Sequence, residues 1–179
     1  EFADLPDGSY QVKVNDADAD LPADAFDNPY EPTTPTTVSA TITNGSTYLD
    51  ADFGFAPLGA IGDTVFWDAN QNGTQDWTEE GIAGLTVRLY IDANTNGVYD
   101  AGETKVGDDQ ITDANGNYLF EGLPTNRYVV VVVQAGVIAT AECTSDPDAD
   151  GDPEGPGRDG QYDVRIYPGT IFLGADFGY

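Results

Sequence analysis

Leu123-Pro124-Thr125-Asn126-Arg127-Tyr128-Val129-Val130-Val131-Val132-Val133 is the stretch on which the fold turns. From Tyr128 to Val133 it is a continuous run of strand-favouring side chains, suited to the centre of a sheet. Working outward, Val87, Leu89 and Ile91 alternate with Thr86, Arg88 and Tyr90, the period of two that marks a half-buried strand. Further strands are expected over residues 63–67, 105–112, 118–120, 164–167 and 171–177. The 21 glycines and 11 prolines punctuate these runs as turns, and no stretch has the periodicity of an amphipathic helix. The sequence predicts an all-β chain, a compact β-sandwich with about seven strands in its complete unit.

The decisive stretch also has an echo. Phe2-Ala3-Asp4-Leu5-Pro6-Asp7-Gly8-Ser9-Tyr10-Gln11-Val12-Lys13-Val14 matches residues 120–132, and Tyr48-Leu49-Asp50-Ala51-Asp52-Phe53-Gly54-Phe55 matches Phe172-Leu173-Gly174-Ala175-Asp176-Phe177-Gly178-Tyr179. Between these marks each copy carries an acidic, proline-containing loop, residues 15–37 in the first and 144–161 in the second. An internal repeat with so long a period is not a small solenoid. Residues 1–57 are expected to be the C-terminal half of one unit, and residues 58–179 a complete one. The half lacks counterparts of residues 59–118, so its sheet presents unpaired edges. Either it is a slice of a tandem array or another chain supplies the missing strands.

Composition narrows the chemistry. The 179 residues carry 32 Asp and Glu against 6 Lys and Arg, a net charge of -26. Nucleic acid is excluded as a partner, because phosphates must be met by Lys and Arg, and an anionic membrane surface is disfavoured for the same reason. No apolar run reaches the roughly 18 residues that would span a bilayer, and Glu1-Phe2-Ala3-Asp4 does not read as a signal peptide. With no His and one Cys, Cys143, neither a His-dependent triad nor a tetrahedral zinc site is available. What remains is oxygen chemistry, which suits hard cations. Cys143 is expected to be a small strand residue.

Two segments concentrate that chemistry. Asp68, Asn70, Asn72, Thr74, Asp76 and Glu79 fall at positions 1, 3, 5, 7, 9 and 12 of a twelve-residue EF-type calcium loop, with Gly73 at the sharp turn. Asp92, Asn94, Asn96, Val98, Asp100 and Glu103 repeat the pattern, with Gly97 at the turn. Alternate residues of a tight loop point inward at an ion, position 7 offers its backbone carbonyl, and the final Glu closes the shell with two oxygens. Asn, Asp and Gly also dominate plain turns, but a bare turn does not need acids at positions 9 and 12 in both copies. Calcium, two ions or more, is the expected cofactor. The flanks are strands, so a calmodulin-like opening is not implied. Weaker candidates are Asp113, which reads equally as a hairpin turn, and Asp146, Asp148, Asp150 and Asp152, which read equally as a solvated acidic loop. Asp16, Asp18 and Asp20 read as solvated.

These residues carry a resemblance. Ile61-Gly62-Asp63-Thr64-Val65-Phe66-Trp67-Asp68, then Glu80-Gly81-Ile82-Ala83-Gly84-Leu85-Thr86-Val87-Arg88-Leu89-Tyr90, the segment Thr112 to Phe120, Leu123-Pro124 and Ala175-Asp176-Phe177-Gly178-Tyr179 resemble the B-type repeats of Gram-positive serine-aspartate-repeat surface adhesins, within the wider collagen-adhesin B-type family. The resemblance covers residues 59–179 in full and 1–57 in part. It implies an Ig-like or prealbumin-like β-sandwich that binds several calcium ions and is stacked in tandem as a stiff stalk outside the cell. Some relatives lock the fold with a Lys–Asn isopeptide bond. This chain has only Lys13 and Lys105, neither in the first-strand segment, which leaves calcium as the expected staple.

The leading expectation is a calcium-stabilised extracellular structural repeat of a bacterial cell-surface or secreted protein, whose neighbours are other repeats or identical chains. One alternative is a filament subunit completed by inter-chain strand addition. Another is a glycan- or protein-binding adhesin using Trp67, Trp77, Tyr90, Tyr99 and Tyr162, with a host or matrix ligand not identified by the sequence. Catalysis is not expected, since the clustered acids are already accounted for as ligands and none is marked as a raised-pKa acid beside a nucleophile.

Overall fold

The structure, a computed structural model, describes residues 2–15, 30–145 and 159–179. The chain separates into two compact units, Glu1–Pro57 and Leu58–Tyr179. In the first, β1 (Gly8–Lys13), β2 (Tyr30–Pro32), β3 (Thr37–Ile42) and β4 (Phe55–Pro57) form two antiparallel pairs, β1 with β3 and β2 with β4. Tyr10 stands opposite Ala40 and Val12 opposite Val38. The Tyr10 hydroxyl donates to the Pro6 carbonyl at 2.7 Å, tying the entry of β1 to its own strand. β3 ends in a turn in which the Thr43 amide donates to Ser46 Oγ and the Ser46 amide to the Thr43 carbonyl, both at 3.0 Å.

The second unit contains β5 (Gly59–Phe66), β6 (Thr86–Ile91), β7 (Lys105–Ile111), β8 (Asn117–Leu123), β9 (Asn126–Val132), β10 (Gln161–Ile166), β11 (Ile171–Leu173) and β12 (Phe177–Gly178). One sheet has the order β10-β9-β6-β7. In the other, β5 pairs with β8, β11 and β12. Inward residues of both sheets form one core: Ile61, Val65, Tyr118, Phe120 and Phe177 from one, Val87, Leu89, Tyr128, Val130, Val164 and Ile166 from the other. This is the all-β sandwich that the alternation predicts. The valine run becomes β9, flanked on both edges by β10 and β6, and Val129 and Val130, on opposite faces, are both 0% exposed. Burying each such side chain contributes about 1.5–3 kcal/mol relative to exposure.

Two local expectations are corrected. The last strand, expected to be continuous over 171–177, is broken into β11 and β12. The Ala175 carbonyl is taken by the buried Tyr118 hydroxyl at 2.5 Å, and the Asp176 side chain, not a backbone carbonyl, receives the β5 amide of Thr64 at 3.1 Å. Cys143 is not in a strand. It lies buried in the loop after a short 3-10 turn (Gly136–Ile138), its Sγ 3.4 Å from the Ser145 carbonyl.

β11 and β12 run parallel to β5. First and last strands of this unit therefore point the same way, and the chain enters at one end of the sandwich and leaves at the other.

Candidate metal centre

Residues 68–79 connect β5 to β6, and residues 92–103 connect β6 to β7, so the two loops sit at opposite ends of β6, separated by about 20 Å of strand. The first amide of each loop is pinned to the framework, Asp68 N to the Tyr179 carbonyl and Asp92 N to the Arg127 carbonyl, both at 3.0 Å. Gly73 and Gly97, at the sharp turns, have φ of +77° and +85°. Gln71 and Thr95, two residues earlier, are also left-handed, at +60° and +61°. A non-glycine residue held there costs on the order of 1–3 kcal/mol, and both loops bear it at the same position.

The side-chain hydrogen bonds at positions 1, 3, 5, 9 and 12 correspond between the loops. Asp68 accepts from Asn72 N at 3.1 Å and Gly73 N at 2.9 Å, as Asp92 does from Asn96 N and Gly97 N at 3.2 Å each. Glu79 accepts from Ala69 N and Asp76 N, both at 2.9 Å, and Glu103 from Ala93 N at 3.0 Å and Asp100 N at 3.1 Å. The closing glutamate thus staples the loop's start to its end. Asn70 and Asn72 both aim their side-chain amides at Asp76 Oδ2, at 2.6 and 3.1 Å, and Asn94 and Asn96 aim theirs at Asp100 Oδ2, at 2.7 and 2.8 Å. Positions 3, 5 and 9 therefore converge on one point in each loop. The amide oxygens of Asn72 and Asn96 each accept from the position-7 N–H, of Thr74 and Val98. That uses one of the two lone pairs on each oxygen.

Asp68 and Asp92 are nearly inaccessible, 3% and 2% exposed. Burial alone would push the Asp68 carboxyl up. The N–H groups of Gly73, Asn72 and Gln71, together with the nearby Thr144 hydroxyl, outweigh it and hold the carboxyl below the ordinary carboxylate range. The Thr144 oxygen is fully enclosed yet aligned as a hydrogen bond with no partner among the described residues, so its effect on Asp68 is one of proximity. A buried polar atom left in this state is costly unless something else satisfies it.

Among the described residues no group of three or more His, Cys, Asp or Glu side chains forms a metal-holding cluster. Each loop's oxygen set is mixed, with carboxylates at positions 1, 9 and 12, amides at 3 and 5 and a carbonyl at 7. Asp113 serves a turn. It accepts from Asn115 N at 2.8 Å and Asn117 N at 2.9 Å on one oxygen, and from Asn117 Nδ2 at 3.2 Å on the other. Asp146, Asp148, Asp150 and Asp152, like Asp16, Asp18 and Asp20, lie outside the described residues. Of the aromatics Trp67, Trp77, Tyr90, Tyr99 and Tyr162, Tyr90 is buried with its ring tilted against Tyr99 at 4.1 Å, Tyr162 stacks on Phe172 at 5.6 Å, and Trp77 is almost fully exposed.

A model of the SdrD B-like domain matches residues 59–169, well over half of the chain. The chain belongs to the SdrD B-like domain family. Serine-aspartate repeat-containing protein E and a bone sialoprotein-binding protein, both of Staphylococcus aureus, are each 33% identical to it over 194 aligned positions. Serine-aspartate repeat-containing protein D of the same organism is 31% identical over 183. All three alignments take in the whole of this chain, which spans only 13–14% of those proteins. A solved minor pilin of Streptococcus agalactiae overlaps 99% of this chain and 62% of its own, at 14% identity and a TM-score of 0.38, a likeness that carries no argument. SdrD B-like domains are structural repeats of surface adhesins, not enzymes, and this chain is an extracellular structural repeat. Among the described residues no helix is long and apolar enough to cross a membrane.

Sequence reasoning within the SdrD B-like pattern marks the two loops but misses the residues that hold them in place. Ser145 Oγ donates to the Gly73 carbonyl at 3.0 Å from 72 positions away, and Gln161 Oε1 accepts from Tyr99 N at 2.8 Å from 62 positions away. No local pattern marks either.

Proposed function

We propose that residues 58–179 are a calcium-stapled spacer, one segment of a stiff stalk on a bacterial cell-surface or secreted protein, with residues 1–57 the C-terminal half of a second such repeat. The calcium reading is supported by the correspondence of the two loops at positions 1, 3, 5, 9 and 12, a pattern that no other connection among the described residues of the unit repeats. Asp68, Asn70, Asn72, Thr74, Asp76 and Glu79 would hold one ion, and Asp92, Asn94, Asn96, Val98, Asp100 and Glu103 another. Calcium supplies charge that neutralises clustered carboxylates and cross-links each loop. In a chain of net charge -26, self-repulsion is otherwise unrelieved. Each independent site stabilises the fold by about 2.7 kcal/mol when calcium stands at 100 times its dissociation constant.

The spacer reading is supported by the parallel first and last strands. Entry and exit at opposite ends suit head-to-tail stacking, and β5 alone advances the chain by about 27 Å. Loop 68–79 is bonded to the exit residue Tyr179, and loop 92–103 lies by the start of β9 at the other end. An ion in each loop therefore stiffens one pole.

Isothermal titration calorimetry of the full chain tests the reading. At least two calcium ions bind per chain, and Asp68→Ala and Asp92→Ala each remove one. Absence of binding at millimolar calcium, or an unchanged stoichiometry in both variants, overturns it.

A further inference from the structure

Loop 68–79 is gripped from outside by two consecutive residues, Thr144 and Ser145. Ser145 Oγ donates to the carbonyl of Gly73, at position 6, at 3.0 Å. Thr144 reaches position 1, where its side chain lies against Asp68. The two meet over Gly178: a Cβ on that residue would stand 2.8 Å from Thr144 Oγ1 and 3.1 Å from both Asp68 Cβ and the Phe66 ring. A glycine at 178 is what leaves the hydroxyl and the aspartate room to come together.

Backbone bonds place Thr144 there. Its N–H donates to the Gly178 carbonyl at 2.7 Å, and Gly178 N donates to the Ser145 carbonyl at 2.8 Å. Tyr179 N in turn donates to the Phe66 carbonyl at 3.1 Å, and Asp68 N to the Tyr179 carbonyl at 3.0 Å. Residues 144–145, β12 and the end of β5 therefore form one ladder, and the position of Thr144 relative to Asp68 is set by that ladder.

Thr144 is 7% exposed, and its oxygen is enclosed without an aligned partner among the described residues. Asp68 has room for it. One carboxylate oxygen accepts from Asn72 N and the other from Gly73 N. Each oxygen has two lone pairs, so two acceptor positions remain, one for an ion and one for a hydroxyl.

We propose that Thr144 is a positioning residue of the first calcium site: its hydroxyl donates to the Asp68 carboxylate and holds it toward the ion. This rests on reading residues 68–79 as a calcium loop. Partners that orient a metal-binding carboxylate typically contribute about ten- to a hundredfold in metal affinity. Loop 92–103, at the far end of β6, serves as the internal control. Its support from Gln161 falls on Tyr99, at position 8, which is no ligand position.

The test is calcium titration calorimetry of the full chain carrying Thr144→Val or Thr144→Ser, with melting in EDTA as a second readout. Valine keeps the shape of the side chain and removes the hydroxyl, whereas serine keeps the hydroxyl. Thr144→Val weakens one calcium site about tenfold or more, the site that Asp68→Ala removes, and leaves the other unchanged. In EDTA it melts no lower than the parent, because a methyl replaces an enclosed hydroxyl that lacks an aligned partner. Thr144→Ser binds both ions as the parent does. Unchanged affinity in Thr144→Val, an equal loss in Thr144→Ser, or weakening at the other site overturns the proposal. A loss of affinity accompanied by a lower Tm in EDTA overturns it as well, since packing damage leaves that mark. Failure of the calcium reading looks different: the parent itself then takes up no calcium.

Discussion

The two loops separate a calcium-stapled repeat from a merely acidic one through a single double variant, Asp68→Ala/Asp92→Ala. Without calcium, losing the Asp68 carboxylate leaves Asn72 N with its second acceptor, Asn70 Oδ1, but orphans Gly73 N. An unsatisfied buried donor costs about 1–3 kcal/mol, and this one lies in a partly open loop, so the lower part of that range applies. A similar cost follows at Gly97 in the other loop. With calcium at about 100 times the dissociation constant, the parent gains about 2.7 kcal/mol per site, roughly 5.4 kcal/mol for two independent sites. For a unit of this size each kcal/mol moves Tm by about 3–5 °C. The parent should therefore melt roughly 15–25 °C higher in calcium than in EDTA, each single variant should keep about half of that rise, and the double variant none. Tryptophan emission reads the relevant unit alone, because both tryptophans, Trp67 and Trp77, lie in the second unit. A parent whose Tm is the same in calcium and EDTA, or a double variant that keeps the full rise, refutes the assignment.

Other consequences are as specific. Trp77 is 97% exposed, so Trp77→Ala should leave stability within about 0.5 kcal/mol of the parent in a denaturant melt. Gly97→Ala forces a Cβ onto a residue at φ +85° and should lower Tm in EDTA by several degrees, for a cost of about 1 kcal/mol or more. The Asp176 carboxyl is pushed up by burial and by Asp63 beside it, so in its ionised form it opposes folding. That penalty is absent below the unfolded carboxylate pKa and grows as pH rises through the folded one. Asp176→Asn, which keeps an oxygen for Thr64 N, should stabilise by about 0.5–2 kcal/mol at pH 7 and by nothing near pH 3. Asp68 has the opposite sign. Its lowered pKa means that its contribution is full at neutral pH and fades as pH falls below the unfolded value, so acid melts of Asp68→Asn and parent should converge.

How much of this was legible in the sequence depends on the range of the interaction. The strands were legible because a period of two and a valine run are local patterns that only a sheet satisfies. β9 came out central and β6 half-alternating for that reason. The break between β11 and β12 was not legible. It depends on Tyr118 reaching Ala175, 57 positions away, and on Asp176 bonding Thr64 across 112 positions, and no window of sequence joins them. Cys143 was misplaced for a related reason, since a small apolar residue is as much at home in a buried loop as in a strand.

The candidate centre divides along the same line, and the division explains its design. All twelve proposed ligand positions sit within two short segments because a metal loop must bring its own oxygens to one point, a demand met by spacing alone. The orientation of those segments is met from far away, by Tyr179 and Ser145 at one loop and by Arg127 and Gln161 at the other. These supports come from β9, from β10, from the segment between them and from the last residue of the unit. The front half thus carries both loops and the back half carries what holds them still.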